Sequence, residues 1–157
     1  MQEGLIGQLK AMAEFFERST RVLTEEDSTF APKEGMLTVA QQVAHAAQTI
    51  DWFIHGAFAA GGFDMDHERM ANDIGAVTSL AAAKAWMEKA FAAAHASVAA
   101  HSDAEWAAPL APGPIMGGAP RFQIFGALTD HTAHHRGALT VYSRLLGKAP
   151  KMPYMEM

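Results

Sequence analysis

The chain of 157 residues has no cysteine. That absence removes disulfides, cysteine-based zinc sites, iron–sulfur clusters and a thiol nucleophile together, and it suits a reducing, cytoplasmic setting. No apolar run approaches the roughly 18 residues that cross a bilayer, so no membrane partner is expected. Positive charge is scarce as well. Twelve Lys and Arg stand against 17 Asp and Glu, for a net charge of -5, which argues against a nucleic-acid partner. The opening Met-Gln-Glu-Gly leads into an amphipathic segment rather than a signal peptide. Several catalytic signatures are also missing. Thr132 follows His131, so there is no His-Glu-x-x-His, and there is no Glu-x-x-His of the carboxylate di-iron bundles. Gly-x-Ser-x-Gly, a phosphate loop and Gly-x-Gly-x-x-Gly are absent too.

What is present is an apolar half, eight histidines and ten methionines. Length and composition predict a single domain over 1–157, with one core. Leu5, Leu9, Met12, Phe16 and Leu23 form a helical stripe within residues 2–24. The charged stretch Glu25–Gly35 reads as a loop. Thr38 and Gln41 have capping-box spacing and open a second helix that runs to about Phe58. Residues 59–77, polar and glycine-bearing, read as irregular. Ser79 is placed to cap a third helix over 80–101. The stretch Asp103–Ala119, rich in proline and glycine, reads as a long connector. Pro120 then suits the first turn of a fourth helix ending at Gly147. Four amphipathic helices without a strand pattern predict an all-α four-helix bundle, and the long first and third loops leave its topology open.

His131 and His135 are four apart, so they share one face of the fourth helix. Ile124, Ala127, Leu128, Ala138, Tyr142 and Leu145 fall on the same arc, which makes that face the one turned to the core. Two imidazoles there need hydrogen-bond partners or a metal, because an unpaired buried polar group costs about 1–3 kcal/mol. A third ligand is open between His45, mid-way along helix two, and the competitors His55 and His95. His45 lies off the stripe of Val39, Val43, Ile50 and Ile54, on a side shared with Thr38, Gln42, Thr49 and Trp52. That side faces either solvent or a polar-lined cavity. Tyr142 is a weak catalytic candidate for orienting a ligand or donating a proton, with a core tyrosine as the plainer alternative. Trp52, Met116 and Ala138 are candidates for pocket lining. Arg136 is expected to pair with an acidic residue of a neighbouring helix, and the Met-rich tail from Lys151 to Met157 to pack on the bundle or fray.

The run His131-Thr-Ala-His-His135-Arg136-Gly137, with Tyr142-Ser-Arg144-Leu145-Leu146-Gly147 and Pro150 after it, resembles the last helix of the DinB/YfiT-like superfamily. Thr38-Val39-Ala40-Gln41-Gln42-Val43-Ala44-His45 resembles the start of that family's second helix. The resemblance implies a DinB/YfiT-type four-helix bundle with a three-histidine metal site at His45, His131 and His135, and a homodimer. It also implies a metal-dependent transferase or isomerase acting with a low-molecular-weight thiol on a small-molecule substrate. One departure is Ala138, where members commonly carry Gln after His-Arg-Gly. Three imidazoles suit zinc or nickel equally. With no cysteine in the chain, any thiol must arrive as cofactor or substrate. The alternative reading is a stress-response protein that binds a metal or small ligand without turnover.

Overall fold

The computed structural model describes residues 1–155, and among them it is helical, with no strand beyond an isolated bridge between Pro109 and Pro120. Four long helices carry the fold: α1 (Gln2–Thr20), α2 (Val39–Phe58), α4 (Leu80–Ala100) and α6 (Ile124–Leu145). Two short ones, α3 (His67–Gly75) and α5 (Asp103–Ala107), sit in the connections. Leu5, Leu9, Met12 and Phe16 of α1 are buried at the spacing of one helical face. On α4 the buried positions Leu80, Ala83, Met87, Ala90, Phe91, Ala94 and Val98 repeat in the same way.

The topology left open by the sequence is now defined. α2 packs between α4 and α6, and α1 closes the ring against α6 and α4. Consecutive long helices α1 and α2 therefore lie across the diagonal, as do α4 and α6. Both long loops cross an end of the bundle, and the middle connection joins neighbours. The crossings also do capping work. In the first, Ser28 Oγ and Glu25 Oε2 accept from the backbone N–H groups of Leu80 (2.9 Å) and Ala81 (2.7 Å), which serve the start of α4 with Ser79 Oγ on Ala82. In the second, Arg121 donates to the carbonyls of Ala57 (2.7 Å) and Glu105 (2.9 Å), closing the end of α2.

Helix α2 starts as expected: Gln41 N donates to Thr38 Oγ1 (3.2 Å) and Thr38 N to Gln41 Oε1 (3.0 Å). Two expectations need correction. Residues 59–77 are not wholly irregular, since Asp66 Oδ1 caps α3 through Arg69 N (3.0 Å). Only Ile74 of that helix is buried, so no apolar stripe announced it. Likewise 103–119 begins with α5, opened by a capping box between Ser102 and Glu105 and anchored by the fully buried Trp106.

Two side-chain expectations also fail. Leu145, on the core-facing arc by angle, is 60% exposed. Arg136 meets no acidic group among the described residues; its guanidinium lies over the rings of Phe15 and Tyr154 at 5.7 and 5.6 Å. Tyr154 also packs edge-on to Phe15, 5.1 Å between centroids, and the Pro153 carbonyl accepts from Arg18 at 3.0 Å. That much of the tail packs on the bundle. Glu156 and Met157 lie outside the described residues.

Candidate metal centre

Because α2 and α6 are neighbours, His45 faces His131 and His135. One ligating nitrogen from each lies within 4.8 Å of the others. Ring centroids are 5.0 Å apart for His45 and His131, 4.9 Å for His45 and His135, and 4.4 Å for His131 and His135. His135 is buried, and the other two are partly buried.

The Nε2 atoms of His131 and His135 are 3.2 Å apart. Two imidazole nitrogens, each about 2.0–2.1 Å from one tetrahedral ion, stand about 3.3 Å from each other. The pair therefore fits a shared ion with both side chains on α6 left in place. Protonation fits as well. Burial, reinforced by the neighbouring imidazoles, holds His131 down to about 4 and His135 to about 3. Burial also pulls His45 below its ordinary value, against a hydrogen bond with the Gln48 side chain. All three rings are thus neutral at pH 7, the form that ligates a metal.

The surrounding polar groups come mostly from α2. Gln42 Oε1 lies 2.5 Å from His135 Nδ1, and Gln42 Nε2 donates to the Tyr142 hydroxyl at 3.2 Å. Thr49 Oγ1 donates to the His45 carbonyl at 3.0 Å and sits 3.4 Å from His131 Nε2. His131 Nδ1, by contrast, is buried with no hydrogen-bond partner. Composition and motif reading overlooked Gln42 and Gln48 as supports. The signal was there: polar side chains at 38, 42, 45, 49 and 52 on one side of α2, with Gln42, Gln48 and Thr49 buried rather than solvated.

Tyr142 is 2% exposed, and its hydroxyl donates to the Leu37 carbonyl at 3.1 Å. Ala138 is partly buried, one turn beyond His135. Trp52 donates through Nε1 to the Asp64 carbonyl at 2.7 Å. It lines a cavity of about 220 Å³ with Gln48, Asp51, His55 and Arg69. Met116 is partly buried against the core with φ at 50°. The competitors His55 and His95 are not in the cluster, and His101 stacks on Phe58 at 3.6 Å.

Residues 8–139 match the DinB superfamily, a span that contains all three clustered histidines. The chain belongs to the DinB superfamily. No curated protein sequence matches it. The all-helical bundle accords with membership in the DinB superfamily, and the three-histidine group lies between two of its long helices, α2 and α6.

Proposed function

We propose that this DinB protein binds one divalent ion, zinc or nickel, through His45, His131 and His135. The observation that carries the reading is the convergence of three neutral imidazoles from two adjacent helices. An ion held by three neutral ligands keeps its full 2+ charge and an open position, where it acidifies a thiol or water.

The reaction we propose is a transfer or isomerisation with a low-molecular-weight thiol, in a cytoplasmic homodimer. The chain's own part is to orient His135 through Gln42 and His45 through Gln48, and to receive the substrate. The cavity beside Trp52, walled in part by Gln48 and lined by no residue of α6, is the proposed seat for a small substrate, and Ala138 does not border it. Tyr142, whose hydroxyl is engaged by Leu37 and Gln42, supports the site rather than donating a proton. That engagement favours a second reading, a stress-response protein that holds a metal or small ligand without turnover, since it leaves the centre without its one proposed acid.

Metal analysis after purification in supplemented, chelator-free buffer tests the first claim. About one equivalent per chain is expected, with strong loss in His135→Ala and none in His95→Ala; less than about a tenth of an equivalent in the unaltered protein rejects both readings. A screen of small thiols against electrophiles separates enzyme from binder, and light scattering reads the oligomeric state.

A further inference from the structure

Gln42 is one turn before His45 on α2 and is buried, yet its side chain serves α6. Its two terminal atoms have different partners: Oε1 on His135 Nδ1 at 2.5 Å, and Nε2 on the Tyr142 hydroxyl at 3.2 Å. The Tyr142 hydroxyl is also 3.1 Å from the carbonyl of Leu37, just ahead of the Thr38 cap. Proton counting along this chain gives a direction. The Leu37 carbonyl accepts only, so it takes the one proton of Tyr142. The tyrosine oxygen must then accept, and the only donor on Gln42 is its amide nitrogen. That orientation turns the amide carbonyl to His135, where a short contact requires an N–H. A neutral His135 therefore has its proton on Nδ1 and its lone pair on Nε2. This Nε2 is the atom that lies 3.2 Å from His131 Nε2.

We infer that Gln42, itself oriented by Tyr142, is a positioning residue that sets the tautomer of His135 and presents Nε2 to the three-histidine centre. The ligand part of this inference rests on the metal reading above; the tautomer part does not. Histidine in water favours the opposite tautomer, with the proton on Nε2, so selection of Nδ1–H is work done by the fold. The reversed amide would turn an N–H₂ donor toward Nδ1 and would need Tyr142 to abandon Leu37. Both ends of the chain oppose it. Partners of this kind behind a ligating histidine are worth about 10–100-fold in metal affinity.

The experiment pairs zinc titration with long-range ¹⁵N NMR of the metal-free protein, for the unaltered chain, Gln42→Leu, Gln42→Glu and Tyr142→Phe. The unaltered protein is expected to show His135 protonated on Nδ1. Gln42→Leu shifts the ring toward Nε2–H and weakens zinc about 10–100-fold. Gln42→Glu, which still accepts from Nδ1–H, keeps the tautomer. Tyr142→Phe gives a mixture and a smaller loss of affinity, and it stands in should Gln42→Leu fail to fold. An Nε2–H ring in the unaltered protein, or an unchanged Nδ1–H ring in every folded variant, overturns the inference. A protein that binds no zinc while Gln42→Leu still changes the tautomer overturns the metal reading and leaves the positioning role intact.

Discussion

His131 and His135, one turn apart on α6, bring their Nε2 atoms to 3.2 Å. Two lone pairs at that distance repel unless an ion or a proton lies between them, so in the metal-free protein an N–H of one neutral ring points at the lone pair of the other. Any further proton would place a positive ring against its neighbour inside the bundle.

Acid sensitivity of the metal-free protein follows from that contact. Burial holds His131 at about 4 and His135 at about 3, against an ordinary value of 6.5. Between those limits the unfolded chain takes up protons that the folded one refuses, so stability falls as pH drops below 6.5 and is complete above it. With chelator present, the melting temperature is expected to fall between about pH 7 and pH 5, and to fall less in the His131→Ala/His135→Ala double variant. Equal slopes in both proteins would place the dependence elsewhere.

Asp51 predicts a dependence of opposite sign. Its Oδ2 accepts from Trp86 Nε1 at 2.7 Å, but burial raises the carboxyl above 3.8 despite that bond. Ionisation above the ordinary value therefore costs stability, which protonation at lower pH returns. Asp51→Asn keeps an acceptor for Trp86 and removes the charge. The side chain is only partly buried, and solvent screening limits the gain to under about 1 kcal/mol at pH 7. Urea unfolding at pH 7 checks it, and a measurement near pH 4 should show the gain shrink. Asp51→Leu, which strands the Trp86 N–H, is expected to destabilise at both.

The long helices were legible because each buries a regular stripe, and because Thr38–Gln41 and Ser79 mark their starts chemically. Helix α3 was not, since Ile74 is its single buried residue and charge pairs around Arg69 hold its outer face. The Ser102–Glu105 box that opens α5 was present in the sequence but hidden by the prolines and glycines after it. At the centre, the i, i+4 spacing of His131 and His135 was visible, and residue resemblance supplied His45. Periodicity alone could not, because His45 lies off the apolar stripe of α2. What decides its direction is the diagonal placement of α1 and α2, which sets α6 against that polar side. Arrangement of helices, unlike their existence, is a property of the loops' path.

Lys148 ties the end of α6 to the first loop. Its ammonium bonds the carboxylate of Asp27 and lies 3.2 Å from Thr24 Oγ1. Burial pushes the Asp27 carboxyl up, but Lys148 and Thr24 together bring it below 3.8. A lowered carboxyl contributes stability above its ordinary value and loses it as pH falls through the folded one. Lys148→Met leaves that carboxylate nearly buried without its cation, at an expected cost of about 1–3 kcal/mol at pH 7. Denaturant midpoints measured at pH 7 and near pH 3 test this, with the difference between variant and parent shrinking in acid.

Gly56 gives a prediction in which two effects of known sign compete. It lies inside α2, where glycine is about 0.5–1 kcal/mol less favourable than alanine, so Gly56→Ala would stabilise an isolated helix. Here a methyl at that position would lie 2.7 Å from Cε1 and 2.9 Å from Cγ of Phe63. The ring cannot simply swing away, because it packs on Trp52 and Phe53 at centroid distances of 4.9 and 5.6 Å. Overpacking of this kind costs about 1–3 kcal/mol, more than the helix gains, so Gly56→Ala should lower the melting temperature. The double variant Gly56→Ala/Phe63→Ala isolates the clash: alanine at 56 should become neutral or favourable once the ring is gone. Zinc affinity should hold, since His45 lies three turns back along α2. A single variant as stable as its parent would mean that Phe63 relocates freely, and the aromatic wall beside Trp52 would then be a mobile one.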